Sequence, residues 1–487
     1  MSRDIYNHKE IFNYVKDFYN IEELDVLFSF EFDDLQKEFA NSDNIISRAK
    51  KVILYFKKRE RIEDLLKLLE NDRSKQYKIH EQKFRIISSA IEQRNGLEKM
   101  REELIELCNL FKNKSKSIVV IGEVMLDHKM MVRKGASFDQ VQEHEVGLEK
   151  IYTLESKEKE NKTLGGAANI AHAFSKVSNV TLIGVIGSDE EGIKLEELCK
   201  TNDIDFIPIK ISELITTTKI YCYSYGIQIG QMKMGFEKAY DATRIDREDK
   251  IAMNKFCKEY EDAIIEKIKT VNKPVDCLLL KDHEKGMFQS GIIKAISEYY
   301  KDKLIFLDPK YSESWKNFSD MKFEAVLPNI KEAAYGVWHD DERAETLVKT
   351  KCADLFEDED YERLVIQYPN INFFIIKADC RGAVVVSRNH DGNAKYSVIK
   401  ELNVDLKDFR VGIGCGDLFD AFFVSGILNG ASLKKSALLA NFAAGHRTKK
   451  TLGEVMTPDE VISLLEREKL DDPNGYFKRN EEFIAEI

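Results

Sequence analysis

The sequence predicts an α/β protein, a doubly wound and mostly parallel sheet with a small β lid, preceded by an all-helical N-terminal domain. Three observations carry this. The first 112 residues contain no proline and a single glycine, Gly96, and their apolar residues recur at helical spacing. From Ile118 onward, short β-branched runs alternate with amphipathic segments, the pattern of a sheet buried on both faces. Between these runs, TTTKIYCYSYG and IGQMKMGFE alternate like exposed antiparallel strands and suit a lid beside the main sheet.

Taken in order, Ile62, Leu65, Leu66, Leu68 and Leu69 fall on one helical stripe, as do Leu97, Met100, Leu104, Ile105 and Leu107. The polar stretch Asn113–Ser117 reads as a linker. The expected division is a helical domain over 1–113, the α/β domain over 117–470 and a C-terminal tail over 471–487. Within the α/β part, the segments SIVVIGEVMLD, AANIAHAFSKV, VTLIGVIGSD and EEGIKLEELCK alternate strand with helix, and VDCLLLKD, GIIKAISEYY, LIFLD and NFFIIK continue the alternation. The charged stretch ESKEKENK reads as a loop.

Composition narrows the class. Of 487 residues, 43% are hydrophobic and 33% charged, which is enough for a large folded core. The net charge of −11 argues against a nucleic-acid partner, since phosphate backbones are held by clustered Lys and Arg. The basic run Lys57-Lys58-Arg59 is followed at once by Glu60 and Asp64 and reads as a solvated helix face. The 8 cysteines form no Cys-x-x-Cys pair, so neither a disulfide framework nor a zinc ribbon is expected. The polar N-terminus lacks a signal-peptide pattern, and no apolar run approaches the ~20 residues needed to span a bilayer. The expectation is a soluble, cytoplasmic protein with no membrane partner.

Three segments carry chemistry. Gly412-Ile413-Gly414-Cys415-Gly416-Asp417 opens a helical pattern, so that backbone N–H groups are free to converge on an anion. An Asp in that first turn can take a proton from a bound hydroxyl. The bland alternative is a tight turn capped by Asp417. In Leu164–Ala171 a diglycine, Gly165-Gly166, again precedes a helix, and Asn169 falls on its first turn, where its amide could grip a sugar hydroxyl. In Gly122–Asp127 the sequence places Asp127 at the end of the first strand, where doubly wound sheets bind ligands. Three other residues invite a role and have a plainer one. Cys415 reads as a small side chain beside the glycines, His283 as a loop residue and His172 as a packing residue.

The order GEVMLD, GGAAN, LLLKDHEKG, LDPK, LPNIKEA, IIKADCRGAVVV, GIGCGDLFDAFF, LLANFAAG resembles the ribokinase/phosphofructokinase-B family of carbohydrate kinases over roughly residues 117 to 468. GEVMLD, GGAANIA, KDHEKG and LDPK are similar to its heptose 7-phosphate kinase branch. The resemblance implies a ribokinase-like fold, ATP and Mg²⁺ as cofactors, and a sugar or sugar phosphate as partner, and it allows a homodimer. It implies Asp417 as catalytic base, with Gly414, Cys415 and Gly416 as the anion hole. Asp127, Gly165, Gly166 and Asn169 match sugar-contacting positions, and Asp282 and Lys285 match the heptose-kinase signature. Lys285 and Lys219 are the expected partners of a substrate phosphate. Asn329 and Glu332 match the motif that organises magnesium and phosphates, with Glu332 as the metal contact, and Lys377, Gly382 and Asn441 match the nucleotide site.

The chain departs from the family pattern at named places. Val411-Gly412-Ile413 stands where an Asp-Thr-Thr is usual, Lys377-Ala378 where Thr and Arg or Gly are common, and Lys233 and Gly235 replace a lid Arg and Asp. These departures leave an alternative open: a binding protein that keeps the fold as a sugar-phosphate or nucleotide sensor while its helical domain engages a partner. A dinucleotide oxidoreductase is excluded, because no Gly-x-Gly-x-x-Gly follows the first strand.

Overall fold

The computed structural model describes residues 6–487 apart from 30–31, 41, 60, 85, 135–151, 155–159, 226–239, 272, 311–316, 339–355, 405–407, 409–411 and 452. The chain forms two compact units, Met1–Lys99 and Met100–Ile487.

The described residues of the first unit form helices: α1 (His8–Phe18), α2 (Ile21–Phe28), α3 (Asp33–Gln36), α4 (Ile45–Lys58), α5 (Ile62–Asp72), α6 (Ser74–Phe84) and the start of α7 (Ile86–Lys112). Asparagines set the helix starts. The Asn7 and Asn44 side chains each accept an N–H of the first turn, and Asn20 forms a reciprocal capping box with Glu23. The apolar stripes meet in one core of Ile11, Tyr14, Leu24, Phe28, Val52, Phe56, Leu65 and Leu69.

The division between the units falls inside α7, not at Asn113–Ser117. The last turns of α7 bury Leu104, Leu107, Cys108 and Phe111 in the second unit, with the Phe111 and Phe422 rings 5.7 Å apart edge to face. The polar linker marks the change from helix to strand, while the apolar stripe before it is already packed on the α/β core.

That core is a nine-stranded sheet with order β14-β13-β12-β11-β10-β9-β1-β5-β6. Its strands are β1 (Ser117–Gly122), β5 (Asn179–Gly187), β6 (Asp205–Ile211), β9 (Cys277–Lys281), β10 (Leu304–Asp308), β11 (Phe323–Val326), β12 (Ile371–Lys377), β13 (Ala383–Arg388) and β14 (Ala394–Ile399). All pair in parallel from β6 to β12, and β13 and β14 add antiparallel strands at one edge. Strands such as β1, β5 and β9 are buried along almost their whole length, as a sheet covered on both faces requires.

The lid is a second sheet of five strands: β2 (Val124–Lys134), β3 (Tyr152–Leu154), β4 (Glu160–Gly166), β7 (Thr218–Tyr225) and β8 (Tyr240–Arg247). Here the structure corrects one expectation. Asp127 does not end the first strand of the main sheet, which stops at Gly122; it lies on β2 in the lid. The segment IGQMKMGFE, with Lys233 and Gly235, lies outside the described residues, as does 155–159 of the charged stretch; the remainder of that stretch, from Glu160, belongs to β4.

The helices that bear on the site are α8 (Ala167–Phe174), α9 (Glu190–Thr201), α10 (Lys250–Glu259), α11 (Glu261–Lys269), α12 (Ser290–Tyr299), α13 (Ile330–Trp338), α14 (Asp358–Gln367), α15 (Cys415–Leu428) and α16 (Leu433–Arg447). After α17 (Pro458–Arg467), the segment read as a tail folds into α18 (Tyr476–Arg479) and α19 (Glu481–Ala485), burying Tyr476 and Phe477. No helix among the described residues is long and apolar enough to cross a membrane.

Candidate active site

Parallel pairing brings the C-terminal ends of the strands to one edge. Register sets Lys281 opposite both Gly122 and Asp308, and Lys377 ends β12 on the same edge. At this edge α15 begins. Gly414 is its N-cap, with φ +85° and ψ 0°, a left-handed conformation that glycine adopts without strain. The helix starts with no side-chain cap, so its first N–H groups are not satisfied by a capping side chain. The plain reading of Asp417 as a capping residue therefore does not hold. Asp417 sits one turn in, its Oδ2 accepting from the Asn169 amide and its Oδ1 3.7 Å from Lys281 Nζ.

Asn169 is held there by a second glycine-opened helix. Gly166, the N-cap of α8, has φ +57°, and a Cβ on it would meet the Glu123 carbonyl at 2.5 Å. Gly165 serves by lacking bulk, since a Cβ there would lie 2.6 Å from Asp127 Oδ1. The Asp127 carboxyl is buried, and among the described residues its Oδ1 has no hydrogen-bond partner. Burial pushes Asp127 up to about 7, against the pull of Lys219 beside it in register and with a further push from Asp417. Burial in turn draws Lys219 downward, and Asp127 opposes that shift.

Beneath Asp417 lies a closed charge network. Lys281 pairs with Asp308, and Lys377 donates to both Asp420 oxygens at 3.0 and 2.9 Å and lies 3.4 Å from Asp308. Burial opposes charge on Asp308, but Lys281 and Lys377 outweigh it and hold the carboxyl well below its usual range. Asp420, fully buried and hydrogen-bonded to Asp308, is pushed well above that range. Lys377 was expected in the nucleotide site; the structure gives its ammonium to these two carboxylates.

Other expected residues also carry structural partners. Glu332 Oε2 accepts the Asn329 N–H at 2.8 Å and Asn329 Oδ1 accepts the Glu332 N–H at 2.9 Å, a capping box at the start of α13 that leaves Oε1 3.7 Å from Lys310. Asp282 Oδ1 accepts from Glu284 N at 2.8 Å, and Lys285 is paired with Glu248. Gly382, at φ +95°, packs its bare Cα against the Ile399 carbonyl. Asn441 donates to Lys400 O and to Tyr476 Oη, both at 3.0 Å, tying down the C-terminal segment.

Burial raises the Cys415 thiol to about 11, lowers His172 to about 4, and holds buried His283 well below its usual value. Two features at this edge were not anticipated. Glu123 accepts from His283 N at 2.8 Å and Met287 N at 3.2 Å, and so braces the Asp282–Gly286 loop. Arg447, the last residue of α16, is 2% exposed and reaches the start of α15, where a Cβ on Gly414 would sit 3.6 Å from its Nη2 and 3.2 Å from Asn169 Nδ2. Glu123 stands inside the Gly122–Asp127 segment, which the sequence singles out for Asp127, whereas Arg447 lies two residues beyond LLANFAAG.

A doubly wound sheet flanked by a β lid, with a carboxylate on a glycine-opened helix at the strand ends, defines a class of small-molecule kinases. This chain belongs to the pfkB family of carbohydrate kinases, whose family pattern it matches over residues 115–459. It is thus a phosphotransferase with a hydroxyl acceptor. Among curated proteins it is 25% identical over 400 residues to a "Bifunctional protein HldE" of Trichlorobacter lovleyi, a match covering 80% of this chain and 69% of that protein. It is 27% identical over 250 residues to a protein of the same name from Helicobacter hepaticus, covering 49% of this chain and 46% of that one. The chain therefore spans about half to two thirds of these relatives' length. Among solved structures, Escherichia coli phosphofructokinase-2 in complex with fructose-6-phosphate superposes with a TM-score of 0.50 at 13% identity, covering 72% of this chain and 99% of that one, which supports the fold.

Proposed function

We propose that this carbohydrate kinase transfers the γ-phosphoryl group of ATP to a hydroxyl of a sugar phosphate, with heptose 7-phosphate as the preferred acceptor. The observation that carries the reading is Asp417, set by the Asn169 amide at the glycine-opened start of α15 and sharing its field with the buried carboxyl of Asp127 on the lid. The acceptor is supported by the Gly122–Asp127, Gly165–Ala171 and Asp282–Gly286 segments, which carry the resemblance to heptose 7-phosphate kinases.

In this reading Asp127 Oδ1, buried without a partner, accepts or donates to an acceptor hydroxyl. Asp417 takes the proton of the reacting hydroxyl as its oxygen bonds to the γ-phosphorus, while the bond to the bridging oxygen breaks and its electron pair leaves with ADP. The N–H groups that open α15, which no side chain caps, face the transferring oxygens. Lid closure excludes water, so that the phosphoryl group reaches the sugar and not solvent. Among the described residues no three metal-binding side chains converge. That fits a magnesium ion whose ligands are chiefly phosphate and water, with Glu332 Oε1, which the cap does not use, as the residue that would hold it. When bound it neutralises charge on the phosphates.

ADP release measured across sugars and sugar phosphates tests the reading. Heptose 7-phosphate should exceed the neutral heptose in kcat/KM by about tenfold or more, the effect of one charge-assisted contact. Equal values would remove the phosphate preference, and no ADP release with any acceptor would remove the reaction.

A further inference from the structure

Buried basic groups in the second unit fall into two kinds. Lys281, Lys285 and Lys377 each have a carboxylate within ion-pair distance, namely Asp308, Glu248 and Asp420. Arg447 has none among the described residues. Its Nε is buried without a hydrogen-bond partner, and Nη1 makes a single long contact, 3.5 Å, to the Lys450 carbonyl. A guanidinium carries five donors and stays charged at any ordinary pH. Removing it from water costs free energy that this contact does not offset.

The location explains what could offset it. Nη2 lies at the start of α15, 3.6 Å from where a Gly414 Cβ would stand, and Asn169 Nδ2 lies 3.2 Å from the same point. The carboxylates whose charge acts on Arg447 are Glu454 and Asp417, the second of them in that first turn. A buried guanidinium whose Nε has no partner among the described residues thus lies beside the backbone N–H groups that open α15, a donor set that suits the planar edge of a phosphoryl group.

We propose that Arg447 is a ligand for the phosphoryl group in transfer, adding a fixed positive charge to the anion site at the start of α15. The assignment rests on the kinase reading above and goes beyond it, because it gives this chain an arginine contact to the γ-phosphoryl oxygens in addition to backbone donors. Charge placed where negative charge is shared out in the transition state acts on turnover more than on nucleotide affinity.

The test uses the full chain and beryllium fluoride, which with ADP mimics the γ-phosphoryl group. Isothermal titration compares ADP affinity with and without it. Wild type should bind ADP more tightly in its presence. In Arg447→Met that gain should shrink by about tenfold or more, with ADP alone bound within about twofold of wild type. Arg447→Lys, which keeps the charge and loses the fork, should fall between, and it decides the matter if the Met variant melts below the assay temperature. A gain undiminished in both variants overturns the assignment. So does an intact gain together with weaker binding of inorganic phosphate to the ATP-saturated Met variant, which would place Arg447 on an acceptor phosphate. If wild type binds neither ADP nor ATP, the kinase reading itself fails, a result distinct from failure of Arg447 alone.

Discussion

Two sets of charges lie at the same edge of the sheet and are built in opposite ways. In the first, Lys281, Asp308, Lys377 and Asp420 answer one another, with Lys377 2.9 Å from Asp420 and 3.4 Å from Asp308. In the second, Asp127 Oδ1 and Arg447 Nε are buried with no partner among the described residues, and Asp417 leans on the amide of Asn169. A closed network holds strand ends together and offers little to a ligand. Open buried donors and acceptors cost folding free energy and are satisfied when something polar binds. In the proposed reading the first set is scaffold and the second is the site, although the sequence motifs touch both.

Breaking the scaffold should cost stability. Lys377→Met strands the Asp420 carboxyl and leaves Asp308 to Lys281 alone, and removing one partner of a buried pair costs about 3–5 kcal/mol. Chemical denaturation of the variant checks this, and a loss below about 1 kcal/mol would show that the network is not closed. Opening the site should cost activity instead. Asn169→Ala removes a hydrogen bond to a charged carboxylate, worth about 1.5–3 kcal/mol, so turnover should fall roughly tenfold to a hundredfold while the melting temperature stays close to wild type. A variant that melts early with normal turnover would move Asn169 into the scaffold.

The smallest effect sharpens the boundary between the two sets. Burial, followed by the charge of Asp282, lifts Glu123 to about 8 from an ordinary 4.5. The folded state therefore keeps a proton that the unfolded chain releases at lower pH. The stability this confers is present below about 4.5 and lost as pH rises through about 8. Melting temperature should fall between about pH 4.5 and 8, and Glu123→Gln should flatten the slope. A slope unchanged in the variant would assign the pH dependence to another group, Asp127 first.

Much of this was legible in the sequence. Periodicity separated the helical region from the α/β region, and glycines before helices located Gly414 and Gly166, because backbone demands of that kind act locally. What depended on distant partners was not legible. Lys377 meets Asp420, 43 residues further on, and Lys285 meets Glu248, 37 residues back. Nothing near either lysine announces the pairing, so both read as ligand contacts. Arg447 closes a largely buried helix, and only packing of α16 beside α15 brings it to Gly414. The unit boundary was misplaced for a related reason. Composition changes at Asn113–Ser117, but the stripe through Leu104 and Phe111 is continuous and says nothing of which core it joins.

The central claim is that Asp417 belongs to the open set and acts as the base. Asp417→Asn keeps the side chain's size and its contact with Asn169 but cannot accept the proton. Measured on one preparation, its ADP production with the best acceptor should fall by roughly 10²–10⁴ while its melting temperature remains near wild type. Undiminished ADP production by the folded variant would contradict the account.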